Sequence, residues 1–328
     1  MNVIFYVSDT HCCGHIRGEE LARQVNGKTK DTIIIKSDVL MSDYQWADVM
    51  IFQRQMNKQV LMKMRYAKNL GIKTVYDVDD NLFLIPDVIN ELHSLYQQEE
   101  VRDTIKKFLN ECDLITVPSM TLAKSMRQHC NTDICVLNNG INPDDWTHKE
   151  DDKIKIGWMG SQTHVKDAKL VSDALKAVLD DSNAYLKLIG WVSSEEAFAW
   201  AADHPKVELC EWVEINSLPS VMADFDIGLC PIEDTEFNRC KSNIKWLQTG
   251  VMGIPCVVSG IPPYTDDVVN GVNGFCANTP QEWYDTIMML VHDEATRNRV
   301  GLSAMREIRE KHTTNRRAQE LLAALRGM

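Results

Sequence analysis

235-TEFNRCKSNIKWLQTGVMGIPCVVSG-260 runs from a polar loop through a helix into a strand. The loop carries Asn238, Arg239 and Lys241 and leads to Ser242, a residue type that caps helix N-termini. The helix expected from 242, with Asn243 in its opening, ends at Gly253 before the apolar strand 254-IPCVVS-259. Basic side chains and unpaired helix N–H groups meet at one point, which suits a diphosphate. Lys245, one turn on, either strengthens that point or faces solvent.

Outward from this stretch, short β-rich runs alternate with amphipathic helical segments. Upstream in the same half are strands 153–159, 184–190, 206–210 and 225–232, with helices 165–180 and 217–224; helices follow from 280 onward. The first half repeats the pattern: strands 2–7, 32–36, 48–53, 73–77, 114–118 and 134–138, with helices 16–26, 57–70, 87–97, 100–111 and 119–130 between them. Such alternation implies βαβ units and parallel sheets covered on both faces, a Rossmann-like α/β layer. The run 138-NNGINPDDWTHKEDD-152 breaks it with turn formers and reads as a linker. Two domains are therefore expected, 1–147 and 148–313, with the terminal helix 314–328 packing back on the first. In open sheets of this kind the ligand lies beyond the carboxyl ends of the strands, which for two facing domains is the cleft between them.

Composition narrows the function classes. A chain of 328 residues with 44% hydrophobic and 25% charged residues is an ordinary folded protein. The apolar start 2-NVIFYVSDT-10 lacks a basic flank and a cleavage site, and reads as a first strand, not a signal peptide. No run reaches the ~18 apolar residues of a membrane span. Ten cysteines without framework spacing suit a reducing compartment, so a cytoplasmic protein with free thiols is expected. The net charge of −12 argues against nucleic-acid binding through the overall field. One basic stretch, Arg54, Lys58, Lys63, Arg65, Lys68 and Lys73, contains no acid; it reads as a solvated helix face, with a docking surface for an anionic partner as the alternative.

Two further loops follow strands. In 157-GWMGSQTHVKD-167, Gly160 and Ser161 form a small-residue turn before a helix beginning near His164, the arrangement that offers backbone N–H groups to a phosphate. His164 either donates to a ligand hydroxyl or phosphate or bonds backbone at the helix start. In 7-VSDTHCCGHIRG-18, Gly14 permits close backbone approach, and His15 and Arg17 are candidates to meet an anion or a hydroxyl-rich acceptor. His11, Cys12, Cys13 and His15 are too crowded to surround one zinc ion as a tetrahedron.

The motifs FNRCKSNIKWLQTGVMGIPCVVSG, GWMGSQTH, VYDVDDNLF and NNGINPDDW together resemble nucleotide-sugar glycosyltransferases of the GT-B fold, in particular the retaining group classed as family 4. The resemblance covers essentially the whole chain and is strongest over 153–276. It implies two Rossmann-like domains with parallel sheets facing across a cleft, a nucleoside-diphosphate sugar as donor substrate, and no cofactor. The Glu-x7-Glu pattern of the wider group falls on Cys240 and Gln248, so both acids are missing; Gln248 can still hydrogen-bond ribose hydroxyls without a charge.

The same resemblance decides how 74-TVYDVDDNLF-83 is read. Asp-x-Asp as a metal motif belongs to the single-domain GT-A architecture. In a GT-B protein Asp77, Asp79 and Asp80 become cleft carboxylates that bind the acceptor or deprotonate its hydroxyl, with a capped turn as the bland alternative. The resulting expectation is transfer of a sugar to a hydroxyl, with retention and without metal. Lys241 and Arg239 would neutralise the leaving diphosphate, and Gly160, Ser161, His164, Asn238, Ser242, Asn243, Lys245 and Gln248 would bind the donor. Gly14, His15, Arg17 and Asp77 would contact the acceptor, a glycan or, as in phage-type enzymes, a hydroxymethylated base in DNA. A sugar-nucleotide epimerase and a non-catalytic sugar-nucleotide-binding protein are the rival functions.

Overall fold

The computed structural model describes residues 1–8, 12–87, 90–149, 152–190 and 197–328. The chain forms two compact units. The first comprises Met1–Gly140 with Arg239–Ser242 and Thr314–Met328, and the second Ile141–Asn238 with Asn243–Thr313.

In the first unit six parallel strands lie in the order β2-β1-β3-β4-β5-β6. They are β1 (Asn2–Tyr6), β2 (Thr32–Lys36), β3 (Val49–Gln53), β4 (Lys73–Asp77), β5 (Leu114–Val117) and β6 (Ile134–Val136). β3 is buried along its whole length, and β4 everywhere but its first residue, as expected for a parallel sheet covered on both faces. One core joins Val3, Phe5, Ile33, Ile51 and Val75 to Ala318, Leu321, Leu322 and Leu325 of the terminal helix Thr314–Arg326. That helix therefore docks its apolar stripe on the first unit.

The second unit repeats the architecture, with order β12-β11-β10-β7-β8-β9. The strands are β7 (Lys155–Met159), β8 (Tyr185–Ile189), β9 (Val207–Cys210), β10 (Ile227–Cys230), β11 (Cys256–Ser259) and β12 (Phe275–Ala277). Ile141 and Trp146, from the expected linker, are buried in this unit's core beside Phe225 and Trp246. The boundary thus falls at Gly140/Ile141 instead of 147/148.

The expected strands are all present, Thr32–Lys36 and Lys73–Asp77 over the expected residues and the others trimmed at their ends. The helix expected over 16–26 opens as π-helix over His15–Glu19 before Glu20–Val25, and the wide turn carries the buried Arg17. Short elements without a sequence signal include the helix Met41–Trp46 and the edge strand β12.

Candidate active site

In the second unit the site is built at the end of β7. The chain leaves Met159 through Gly160 and Ser161, makes one 3-10 turn over Gln162–His164, and enters the helix Val165–Asp181. A Cβ on Gly160 would lie 2.5 Å from the Trp158 ring, and one on Gly190, whose φ is +80°, would lie 2.6 Å from the Gly160 carbonyl oxygen. Only glycine lets these two backbones close on each other at the sheet's carboxyl edge.

Asp167 organises this turn. It is 4% exposed, and its Oδ1 accepts from the Glu233 N–H at 2.7 Å and from Asn238 Nδ2 at 3.2 Å. Its Oδ2 lies 2.7 Å from His164 Nδ1. Burial alone would raise the carboxyl's pKa, but the bond and charge of His164, the Glu233 N–H and nearby Lys245 outweigh it and hold it below the usual carboxylate range. With Nδ1 facing the carboxylate, the His164 ring is held in one orientation at the helix start. Asp167 was not among the expected site residues, although His-x-x-Asp at a helix start is a signal the sequence carries.

Around this turn the expected donor residues divide. Lys245 does not face solvent: its Nζ is buried, 5.7 Å from the Trp158 ring centroid. Gln248 is buried on the same helix, Ile244–Gly250. Asn238 is buried and spends its amide on Asp167 and on the Glu233 carbonyl at 2.9 Å, so it braces the loop and is not poised for a ligand. Ser161 pairs its hydroxyl with Thr163 at 2.7 Å. Ser242 is not the N-cap: the helix starts at Ile244 after Asn243, whose side chain donates to Asp267 at 2.6 Å instead of capping. Ser242 Oγ accepts from Asn139 Nδ2 at 2.9 Å, and this bond holds it outside the helix.

The segment Arg239–Ser242 belongs to the first unit. Ser119 Oγ donates to the Cys240 carbonyl at 3.0 Å, and Lys241 Nζ stands 3.9 Å from Asp80 Oδ1. Asp79 and Asp80 follow β4, and both meet Arg54 Nη1, at 3.3 and 3.1 Å. Arg54 is thus no member of a solvated basic face. Of the other basic residues in that stretch, Lys58 pairs with Glu100 at 2.6 Å, Arg65 with Glu111 at 2.6 Å and Lys68 with Asp113 at 3.0 Å, while Lys63 pairs with Asp38. Carboxylates from other elements offset this face, which no sequence window could reveal.

The acceptor loop after β1 needs the largest correction. Arg17 is 3% exposed and Asp77 1%. Arg17 Nη2 meets Asp77 at 2.6 Å, its Nε lies 3.0 and 3.1 Å from the two Asp77 oxygens, and its Nη1 donates to the Leu137 carbonyl at 2.8 Å and to Asn139 Oδ1 at 2.9 Å. Thr116 Oγ1 adds a 2.6 Å bond to Asp77. Burial disfavours the guanidinium charge, yet Asp77 outweighs it and the Arg17 pKa is raised. Neither side chain is exposed to an acceptor; the pair is a buried strut across the strand ends. Gly14 has φ −62°, an ordinary right-handed conformation, so its glycine freedom is unused. His15 lies 3.0 Å from Glu19 and 3.4 Å from Glu20. His11 and the Cys12 side chain lie outside the described residues; among those described, no three His, Cys, Asp or Glu side chains are grouped to hold a metal ion.

Residues 153–293 match the family described as glycosyl transferases group 1, which bears out the expectation of a glycosyltransferase. No curated protein sequence matches the chain. Among solved structures, the chain is similar over 100% of both lengths to Anabaena HepE in complex with UDP-glucose, with a TM-score of 0.73 at 13% identity. Sucrose-phosphate synthase from Thermosynechococcus elongatus matches with a TM-score of 0.69 at 10% identity, covering 100% of this chain and 98% of that one. A glycosyltransferase from Rickettsia africae matches with a TM-score of 0.66 at 14% identity, covering 98% and 97%. The two six-stranded parallel sheets with flanking helices are those of the GT-B fold. Among the described residues no helix is long and apolar enough to cross a membrane.

Proposed function

We propose that this protein moves a sugar from a nucleoside-diphosphate sugar to an acceptor hydroxyl, with retention and without a metal ion. The observation that carries the reading is the turn after β7. Gly160 admits no side chain there, His164 is oriented by a buried carboxylate, and the N-terminus of a 17-residue helix follows, all within the stretch that matches glycosyl transferases group 1.

In this reading the donor lies against Gly160 and Ser161, with His164 on a sugar or phosphate oxygen and the Gln248 amide on the ribose. As the bond from the anomeric carbon to the diphosphate oxygen breaks, its electron pair passes to the diphosphate, the acceptor oxygen bonds the anomeric carbon on the same face, and the acceptor proton passes to the departing phosphate oxygen. Lys245, Lys241 and Arg239 offset that charge more in the transition state than in the ground state, which is what accelerates the step. The HepE structure contains UDP-glucose, which makes uridine diphosphate sugars the first donors to try. On the acceptor side Asp79 and Asp80 take the hydroxyl. Since Lys58, Lys63, Arg65 and Lys68 already pair with carboxylates, a glycan acceptor is favoured over hydroxymethylated DNA.

The test is mass spectrometry of products after incubation, with chelator present, with a panel of nucleotide sugars and three acceptor pools: oligosaccharides, lipid-linked sugars and hydroxymethylcytosine DNA. A gain of one sugar on any pool supports a metal-independent transferase, and the anomeric configuration of the product reads out retention. Donor bound with no transfer, or released as an altered sugar, would instead favour a binding protein or an epimerase.

A further inference from the structure

The first unit holds a charged cluster in which one residue is out of the ordinary. Arg54, directly after β3, has φ +48°, the one non-glycine positive φ among the described residues. A left-handed backbone at a long side chain costs on the order of 1 kcal/mol and persists only where its surroundings impose it. Here they do. The Arg54 N–H donates to the Asp77 carbonyl at 2.9 Å, Gln53 Nε2 donates to the Cys13 carbonyl at 3.0 Å, and the buried Tyr76 hydroxyl donates to the Gln55 carbonyl at 2.7 Å. The chain on both sides of Arg54 is pinned to the helical turn at Cys13 and to the end of β4.

What this geometry secures is the guanidinium. Nη1 lies 3.3 Å from Asp79 Oδ1, 3.1 Å from Asp80 Oδ2 and 3.5 Å from Cys13 Sγ, and Tyr96 meets the same side chain. Burial pushes the Cys13 thiol up, and Asp79 adds to the effect, so the sulfur stays protonated and is no nucleophile. Asp80 has a second cation, Lys241, at 3.9 Å. Asp79 interacts with Arg54 and with the Cys13 thiol, and its Oδ1 is buried with no properly formed hydrogen bond, the Arg54 Nη1 at 3.3 Å being an ion-pair contact. A buried carboxylate oxygen lacking a donor has a place for one, and a substrate hydroxyl supplies it. Asn81 holds the following turn, donating to Ser125 Oγ at 2.8 Å while its Oδ1 accepts the Phe83 N–H at 3.1 Å.

We propose that Arg54 is a positioning residue: it fixes Asp79 as the carboxylate that receives the acceptor hydroxyl, and leaves Asp80, shared with Lys241, as the charge partner. The inference rests on the transferase reading above and assigns the two carboxylates different work. The acceptor it implies is a neutral polyol or glycan, because the cations of the cluster are already matched by Asp79 and Asp80.

The experiment compares wild type with Arg54→Gln, Arg54→Lys, Asp79→Asn and Asp80→Asn. The donor is the nucleotide sugar, and the acceptor is the oligosaccharide, lipid-linked sugar or hydroxymethylcytosine DNA, identified by mass gain in the panel. Each variant is assayed both for transfer and for donor hydrolysis without acceptor. Arg54→Gln is expected to raise the acceptor KM about tenfold or more, the size of a misaligned charge-assisted hydrogen bond, while donor KM and hydrolysis stay within about twofold. Arg54→Lys should recover part of the loss and keeps the question open to test if the glutamine variant does not fold. Asp79→Asn should impair transfer more than Asp80→Asn. An unchanged acceptor KM in both Arg54 variants, equal losses of transfer and hydrolysis, or Asp80→Asn as the more damaging change would each overturn the proposal while leaving the transferase reading standing. Absence of turnover by wild type with every donor would overturn that reading and this inference with it.

Discussion

Replacing Asp77 by asparagine tests whether the first strand ends are built around a strut or an acceptor contact. The exchange is nearly isosteric but removes the charge that faces Arg17 at 2.6 Å, in a pair with exposures of 3% and 1%. An uncompensated guanidinium in such a place costs about 3–5 kcal/mol. For a folding unit of this size that lowers the melting temperature by roughly 6–20 °C, at about 2–4 °C per kcal/mol. Arg17→Met should cost a similar amount, because it orphans the Leu137 carbonyl and Asn139 Oδ1 as well as Asp77. The double variant Arg17→Met/Asp77→Leu should cost clearly less than the two single changes together, with a coupling of about 2–3 kcal/mol. Scanning calorimetry gives the shift, and hydrogen exchange in β4, β5 and β6 assigns it to the first unit. If Asp77→Asn kept the wild-type melting temperature and raised only the acceptor KM, the strut would be disproved and the acceptor reading of Arg17 and Asp77 restored.

Three more outcomes are expected. Asp167→Asn should weaken donor binding about tenfold by freeing the His164 ring, and cost about 1–2 kcal/mol at neutral pH. Because the Asp167 pKa is depressed in the folded protein, its contribution is fully present above the unfolded value near 4 and is lost as pH falls through the lower folded value. The stability gap between wild type and variant, measured by urea unfolding, should therefore close in that acid range; a gap that widened there would contradict the assignment. Gly160→Ala should cost about 1–3 kcal/mol and abolish donor binding in calorimetric titration, since its Cβ would stand 2.5 Å from the Trp158 ring. Lys241→Ala should lower turnover by about two orders of magnitude, the loss seen when one preorganised charge-stabilising donor is removed, while the melting temperature hardly moves; the residue is 25% exposed and its pair with Asp80 is long. Full turnover in that variant would remove Lys241 from the diphosphate.

Much of the architecture could be read from the chain alone. Lys73–Asp77 is a strand over the very residues expected, because a parallel strand covered on both faces reads as a short run of buried residues between turn formers, and the edge strand Thr32–Lys36 was legible from its three consecutive isoleucines. The Gly160 turn was equally legible, since strand, small residues and helix start lie next to one another in sequence. Met41–Trp46 and Phe275–Ala277 were not, because six-residue and three-residue elements are too short to show a period. The site followed the same division. Local order in the sequence determined which residues arrive at the carboxyl edges of the sheets. Which of them face a ligand depended on partners far along the chain: Arg17 on Asp77, 60 residues away, Asp167 on Glu233, 66 away, and Arg54 on Asp80, 26 away. Those pairings arise from the strand order β1-β3-β4 in the first unit and from β7 lying beside β10 in the second. A charge in a sequence window carries no record of the opposite charge that folding brings beside it, so pairing and burial were decided by the tertiary structure alone.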